Sequence, residues 1–182
     1  MATTRIISEE EFMALPDDDG NSYELVDGML RVSPKATPRH GQIVAQLLIP
    51  LGTFVKANRL GKVFPPDTGF RMAGGNVRGP DITFVRQDRL PADLMLDRFM
   101  DPPDLAVEVL SPHDHEHPRE FLDKVGEYIE SGVRLVWVID GRTQRAFVYR
   151  ALNNVREVAP DGILDGEDVV PGFSCPLAVI FE

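Results

Sequence analysis

The feature that most constrains this chain is an apolar run, Leu105 to Leu110, which carries a single acid, Glu108. A short continuous apolar run is typical of a strand that is buried on both faces. An ionised carboxylate in such a strand costs several kcal/mol unless it is paired or coordinates a metal. The run therefore predicts an interior strand whose acid has either a charged partner or a metal ion.

Three other segments predict helices. The sequence Ser8-Glu9-Glu10-Glu11 is a capping-box pattern that opens a short helix before a polar break at 16–21. Apolar residues keep helical spacing over 38–58 and again over 118–131. Pro50 falls inside the first of these two patterns and should kink or break that helix.

Further strands complete the predicted architecture. Asp27-Gly28 is a hairpin turn signal between short strands at 22–27 and 29–33, and 133–139 is a second buried strand. No linker separates the elements, so we expect a single domain over residues 1–182. The fold class is α/β or α+β, with a mixed central β-sheet flanked by helices.

The composition indicates an ordinary globular protein of a reducing compartment. No apolar stretch approaches the length of about 18 residues that a membrane span needs, and the N-terminus lacks the apolar run of a secretory signal. The single cysteine, Cys175, cannot form an intramolecular disulfide. We therefore expect a cytoplasmic protein without membrane contact.

The charge of the chain is distributed unevenly. The formal net charge is −10, yet the segment 31–86 holds nine basic residues and only two acids. If these bases share one surface, including Arg39 and Arg78, they would attract a polyanion such as DNA. The alternative is that the basic side chains are scattered around the surface and have no common partner.

A second acid and a lysine suggest what Glu108 does. Asp81 stands at the entrance of the strand 82–85, and Lys124 lies at the edge of the buried stripe of the helix 118–131, beside Tyr128. If the two strands are neighbours, both carboxylates converge on one cation. Magnesium prefers one or two carboxylates together with water and phosphate oxygens.

Each of these residues also has a structural interpretation. Asp81 would cap a turn, Glu108 would pair with an arginine, and Lys124 would extend its ammonium group to solvent. Glu24 and His40, taken singly, are more typical of structural residues than of catalytic ones.

The run His113-Asp114-His115-Glu116-His117 invites a zinc interpretation. A zinc site needs partners that close its coordination shell, and none is evident near this predicted loop. Whether His113, His115 and His117 bind a metal therefore stays open.

Several segments, taken in order, resemble the Uma family of restriction endonuclease-like proteins, and the resemblance runs from about Ser8 to Tyr149. The segments are Tyr23 to Gly28, Ser33-Pro34 followed by His40, Pro80-Asp81-Ile82, Glu108 to Pro112, Lys124 with Tyr128, and Gly132-Val133 leading to Val136 through Asp140. The resemblance implies the fold of the PD-(D/E)xK nuclease superfamily.

The resemblance also implies roles for individual residues. Asp81, Glu108 and the backbone carbonyl of Val109 would bind Mg²⁺ or Mn²⁺, Lys124 would assist hydrolysis, and Glu24 matches an acid near the site. The superfamily formula places a lysine two positions after the acid, where this chain has leucine, so Lys124 would take over that role from the helix. Members of the family are often dimeric, which implies a homodimer.

Three hypotheses about function follow. The first is a metal-dependent endonuclease that hydrolyses phosphodiester bonds of DNA. The second is a catalytically silent nuclease-like domain that binds nucleic acid or a protein, and the third is a metal-dependent hydrolase of a small phosphoester. Clustering of the basic segment 31–86 around the site favours the first, and dispersal favours the third.

Overall fold

The computed structural model describes residues 6–15, 21–33, 35–93 and 99–182. Its helices are α1 (Glu9–Met13), α2 (Pro38–Ala57), α3 (Pro112–Glu116) and α4 (Pro118–Glu130). Its strands are β1 (Ser22–Val26), β2 (Met29–Ser33), β3 (Gly61–Phe64), β4 (Phe70–Arg71), β5 (Val77–Arg78), β6 (Ile82–Arg86), β7 (Leu105–Val109), β8 (Leu135–Asp140), β9 (Arg145–Ala151), β10 (Asn154–Val158), β11 (Ile163–Asp165) and β12 (Ser174–Pro176). Short 3₁₀ turns lie at 73–75, 87–89 and 177–181.

The predicted helices are confirmed, with one correction. The capping box at Ser8 and Glu11 forms as expected and opens α1. Of the two effects expected of Pro50, a kink or a break of α2, the break does not occur, because α2 runs from 38 to 57 without interruption. Leu47 and Leu51, on either side of Pro50, are fully buried. Burial of a leucine side chain contributes about 1.5–3 kcal/mol to stability. The two leucines together therefore offset the roughly 3 kcal/mol cost of a proline inside a helix. The expected polar break at 16–21 lies outside the described residues, apart from Asn21.

A mixed six-stranded sheet forms the centre of the fold, in the order β10-β9-β8-β7-β6-β3. Only β7 and β8 pair in parallel, and the other neighbours are antiparallel. The expected interior strand is β7, in which every residue is buried. Helices cover both faces of this sheet, which confirms the predicted mixed α+β architecture.

The two faces carry different helices because successive side chains of a strand point in opposite directions. On one face, α2 packs through Leu47 and Leu51 against Val107 of β7. On the other face, α4 packs through Val125 and Tyr128 against Ala106 of the same strand. Glu108 has the same orientation as Ala106, so it points toward α4.

A smaller four-stranded sheet has the order β2-β1-β5-β4. The hairpin of β1 and β2 forms as predicted, with Glu24 opposite Arg31. The strand β5 was not among the predicted strands. It pairs with β1 at Leu25 and leads directly into the turn before Asp81. The smaller sheet thereby approaches the end of the central one.

Among the described residues, no helix has the length and apolar character that a membrane span requires.

Candidate active site

The pairing of β6 with β7 brings Asp81 and Glu108 together. In the antiparallel register Ile82 lies opposite Val107, so one step outward sets Asp81 beside Glu108. The backbone N–H of Val109 donates to Oδ2 of Asp81 at 2.8 Å, which fixes that carboxylate at the end of β7. The two acids identified in the sequence therefore sit at one end of two neighbouring strands.

Glu108 has two protein partners, and both contact the same oxygen. Tyr128 donates its hydroxyl hydrogen to Oε1 at 2.5 Å, and the Lys124 ammonium lies 2.9 Å from it. Burial raises the pKa of Glu108 to about 7, with Lys124 opposing the shift and the negative charge of Asp81 adding to it. The fold therefore disfavours the ionised form of this acid in the absence of a further cation.

Lys124 reaches the site from the edge of the α4 stripe. Lys124 and Tyr128 are four residues apart and share one helix face, so both reach Glu108. The ammonium also lies 3.4 Å from Oε1 of Glu24. Burial alone would lower the pKa of Lys124, but the charges of Glu108 and Glu24 outweigh it and hold the pKa above its usual value. The lysine is therefore positively charged at neutral pH.

Glu24 enters the site from β1 of the smaller sheet. Its Oε1 accepts a hydrogen bond from the backbone N–H of Gly79 at 3.2 Å, and its Oε2 lies 2.9 Å from NH1 of Arg78. Burial raises the pKa of Glu24, but the charges of Lys124 and Arg78 lower it by more, and the net pKa lies below the usual value. Glu24 is therefore ionised. Taken singly it was expected to be structural, but in the structure it also contacts Lys124 of the site.

Arg78 is not part of an exposed basic surface, which was one of the two alternatives left open by the sequence. Its side chain is only 11% exposed and forms an ion pair with Glu127 of α4 as well as with Glu24. Neither the role of Glu127 nor the burial of Arg78 was predicted. Arg78 lies about 50 residues along the chain from each of its two acidic partners, Glu127 and Glu24, so no local pattern connects them. Arg39, by contrast, is exposed and donates from NH2 to the carbonyl of Gly141 at 2.6 Å.

His40 lies at the Asp81 carboxylate. Its Nε2 is 3.2 Å from Oδ2 of Asp81. The hydrogen bond to Asp81 raises the pKa of His40, burial opposes this, and the Asp81 charge and the backbone of Val109 add to the increase. The structure thus places a residue that was expected to be structural beside a candidate metal ligand, at the N-terminus of α2.

The donor set fits a hard divalent cation. Asp81 uses Oδ2 for both of its contacts and Glu108 uses Oε1 for both of its own. Each carboxylate therefore retains one oxygen without a protein hydrogen bond among the described residues. Two carboxylates with open positions for water and phosphate match what Mg²⁺ or Mn²⁺ requires. Within the described ranges, no group of three or more His, Cys, Asp or Glu side chains is arranged as a metal site.

The histidine run does not join the acids of the site. It forms α3, which Ser111 and Asp114 open with a capping box, where a loop had been expected. Nε2 of His115 lies 3.4 Å from Oδ1 of Asp140. The rings of His113 and His117 are tilted against each other with centroids 4.3 Å apart, and each ring has a nitrogen 3.9 Å from the Glu120 carboxylate.

A cleft of about 2470 Å³ contains Asp81, Glu108, Lys124 and Glu24. The basic segment 31–86 is divided between this cleft and other surfaces. Four of its bases line the cleft: Arg31, Lys35, Arg39 and Arg78. The other five do not: Lys56, Arg59, Lys62, Arg71 and Arg86. Among the described lining residues, twelve carboxylates face six Lys or Arg side chains, so the cleft has an excess of negative charge.

Comparisons with known proteins agree with this architecture. The family model Uma2, described as "Putative restriction endonuclease", matches residues 9–179. A solved structure described as a putative nuclease belonging to DUF820, from Anabaena variabilis, has a similar fold, with a TM-score of 0.80. It is 22% identical and the alignment covers 96% of this chain and 97% of that one. No curated protein sequence matches the chain.

Proposed function

The chain belongs to the Uma2 family of putative restriction endonucleases, and from this premise we propose that it is a metal-dependent endonuclease that hydrolyses phosphodiester bonds of DNA. We further propose that it acts in the cytoplasm, in line with its lone cysteine, and as a homodimer, as its resemblance to often dimeric proteins implies.

The observation that supports this proposal most strongly is the position of Glu108. It is a buried carboxylate with a raised pKa, beside a second carboxylate and a lysine, at the wall of an open cleft. Strongly perturbed acids in a cleft are typical of functional sites. A cation at the open oxygens of Asp81 and Glu108 would offset the burial and the Asp81 charge that together raise the pKa of Glu108.

In the proposed mechanism, Asp81, Glu108 and the backbone carbonyl of Val109 would hold one Mg²⁺ or Mn²⁺ ion. When bound, the ion polarises the phosphoryl group and lowers the pKa of a coordinated water molecule. Lys124 holds its positive charge next to Glu108, where it stabilises negative charge on the phosphate. Glu24 keeps Lys124 ionised and in place, and the hydroxyl of Tyr128 orients the Glu108 carboxylate.

The proposed contacts with DNA lie at Arg31, Lys35 and Arg39. These side chains are exposed and line the same cleft as the acids. Lysine and arginine contacts to phosphates release counterions, so binding should weaken as salt concentration rises. Replacing Arg39 by glutamine should flatten this salt dependence, by roughly one unit of the log–log slope for each lost phosphate contact.

The direct test is cleavage of supercoiled plasmid DNA with Mg²⁺, with Mn²⁺ and with a chelator. We expect nicked and linear products with either ion and none with the chelator. The Asp81→Asn variant, which keeps its shape but loses the carboxylate, should be inactive. Metal-independent cleavage, or equal cleavage by the variant, would refute the proposed metal site.

A second candidate is a metal-dependent hydrolase of a small phosphoester. The observation that favours it is the excess of carboxylates over basic side chains in the cleft, which repels a polyanion. Hydrolysis of bis(p-nitrophenyl) phosphate without cleavage of plasmid, single-stranded DNA or RNA would select this candidate. Binding of DNA without any hydrolysis would instead select a catalytically silent domain.

A further inference from the structure

Four charged side chains form a ring that begins and ends on α4. Glu127 of α4 binds Arg78 of β5, Arg78 binds Glu24 of β1, and Glu24 lies against Lys124 of α4. Lys124 and Glu127 are three residues apart and share one face of the helix, which closes the ring. The ring thereby joins the smaller sheet to the helix that carries Lys124.

The Arg78 guanidinium donates hydrogen bonds to two carboxylates. Its Nε and NH2 groups face the Glu127 carboxylate, with Nε 3.1 Å and NH2 2.5 Å from Oε2, and its NH1 donates to Glu24 at 2.9 Å. A planar guanidinium can serve two acids in fixed directions, whereas a lysine ammonium acts as a point charge. Because the Arg78 side chain is only 11% exposed, these contacts are largely shielded from water.

The ring touches both halves of the proposed site. On one side, Lys124 lies 2.9 Å from Glu108. On the other, the N–H of Gly79, which follows Arg78 and precedes Pro80 and Asp81, donates to Glu24. Glu24 therefore holds the lysine and the backbone that leads to Asp81 at the same time, and Arg78 holds Glu24.

We propose that Arg78, anchored by Glu127, is a positioning residue of the nuclease site, which aligns Lys124 on Glu108 through Glu24. This inference rests on the proposed function for its activity readout. It assigns no contact between Arg78 and the substrate, so loss of the arrangement should lower kcat and leave KM unchanged.

The chain contains a matched control. Arg71, on the neighbouring strand β4, forms the same kind of two-bonded pair with Glu9 of α1, at 2.9 and 2.5 Å. Arg71 and Glu9 do not line the cleft. The variants Arg71→Lys and Glu9→Gln therefore report the cost of weakening an arginine–glutamate pair of the same sheet without touching the ring.

The experiment compares Arg78→Lys and Glu127→Gln with these two controls. We expect kcat to fall roughly tenfold to hundredfold in both ring variants, which is the usual range for residues that orient a ligating group. The controls should retain wild-type kcat. Because both ring variants break the same arrangement, the double variant should lose little more than either single variant.

A second readout does not depend on cleavage. The chain has three tyrosines, so 3-fluorotyrosine labelling gives three ¹⁹F resonances, of which the one lost in Tyr128→Phe belongs to Tyr128. Because Tyr128 donates to Glu108, its resonance reports how the Glu108 carboxylate is held. It should shift in Arg78→Lys and Glu127→Gln and stay in place in both controls.

The outcomes separate this inference from the proposed function. If the wild type cleaves no nucleic acid, the proposed function fails, and the ¹⁹F resonance alone decides the positioning role. An unchanged Tyr128 resonance in both ring variants would overturn the inference. Equal losses in ring and control variants would mean that the ring only stabilises the fold. If Arg78→Lys fails to fold, Glu127→Gln provides the same test.

Discussion

Two of the clusters of acids and bases among the described residues balance their charges differently. In the cleft cluster, four carboxylates surround two permanent cations; its members are Glu24, Arg78, Asp81, Glu108, Lys124 and Glu127. In the C-terminal cluster, three carboxylates meet three arginines; its members are Arg134, Arg150, Arg156, Asp165, Glu167 and Asp168. The cleft cluster is largely buried, whereas Arg156 and Asp168 of the C-terminal cluster are 45% and 63% exposed.

This difference distinguishes a candidate functional site from a group of surface ion pairs. Exposed, balanced charges are screened by water and need no further ion. Buried acids in excess resist ionisation, and burial together with the negative charges of Asp81 and Glu24 raises the pKa of Glu108. An excess of buried acids, more than the presence of ion pairs, therefore marks the proposed cation site.

The largest effect should come from removing one of the excess acids. Asp81→Asn should lower the rate of Mg²⁺-dependent DNA cleavage by about a thousandfold or more, as for other residues that act as part of a catalytic unit. The matched variant in the C-terminal cluster, Asp168→Asn, should cleave at the wild-type rate. A similar loss in both, measured on plasmid DNA, would break the distinction between the clusters.

The next largest effect should come from removing the cation beside Glu108 in the cleft cluster. Lys124→Met keeps the length of the side chain but removes the charge beside Glu108, and we expect kcat to fall by about a hundredfold. Arg156→Met removes a cation from the C-terminal cluster and should leave kcat unchanged. Steady-state kinetics with a labelled duplex would measure both, and a normal kcat in Lys124→Met would contradict the role of the lysine.

A smaller effect, on stability, should depend on pH. The pKa of Glu108 is raised from 4.5 to about 7 in the folded protein, so folding holds its proton more tightly than the unfolded chain does. The corresponding stability is fully present below pH 4.5 and is lost as the pH rises through 7. Glu108→Gln, which cannot ionise, escapes this loss.

Urea unfolding without metal at pH 5 and pH 8 would measure this effect. From pH 5 to pH 8, the free energy of unfolding of the wild type should fall by a few kcal/mol relative to that of Glu108→Gln. An equal difference at both would mean that the Glu108 carboxyl is not perturbed. Asp165→Asn is the control and should show no such gain, because this exposed carboxylate belongs to the cluster whose charges balance.

The smallest effect should be that of an exposed pair. Arg156→Gln should lower the free energy of unfolding by less than about 1 kcal/mol, and added salt should shrink the loss further. Thermal melts at low and high salt would measure it. A loss that is large and insensitive to salt would show that the C-terminal cluster is not the group of screened surface ion pairs described above.

The sequence allowed the central features of the site to be predicted. The apolar run of β7 indicated a strand buried on both faces, and its acid had to find a partner. Helical periodicity placed Lys124 at the edge of a buried stripe, where it contacts Glu108. Both predictions depend on local patterns, since burial and helix faces are recorded in the spacing of apolar residues.

Other features depend on contacts that no local pattern records. The charge of Arg78 says nothing about its burial, which two acids from distant segments create. The strand β5 has only two residues, too few for an alternating pattern, and α3 begins with a Ser-Pro pair that is equally typical of a turn. The continuity of α2 at Pro50 depends on tertiary packing, which outweighed the local preference.

The division of the site between two sheets has a consequence for how the protein loses activity on heating. Among the described residues, β1 and β5 rest on a small apolar cluster with Phe12, Leu25 and Val77, whereas Phe70 of β4 joins the larger core on one face of the central sheet. Parts of a protein with few buried contacts open first. Since Glu24 and Arg78 belong to the smaller sheet, its local opening would disperse the charges around Lys124 while the central sheet stays folded. Thermal inactivation should therefore precede unfolding and reverse on cooling.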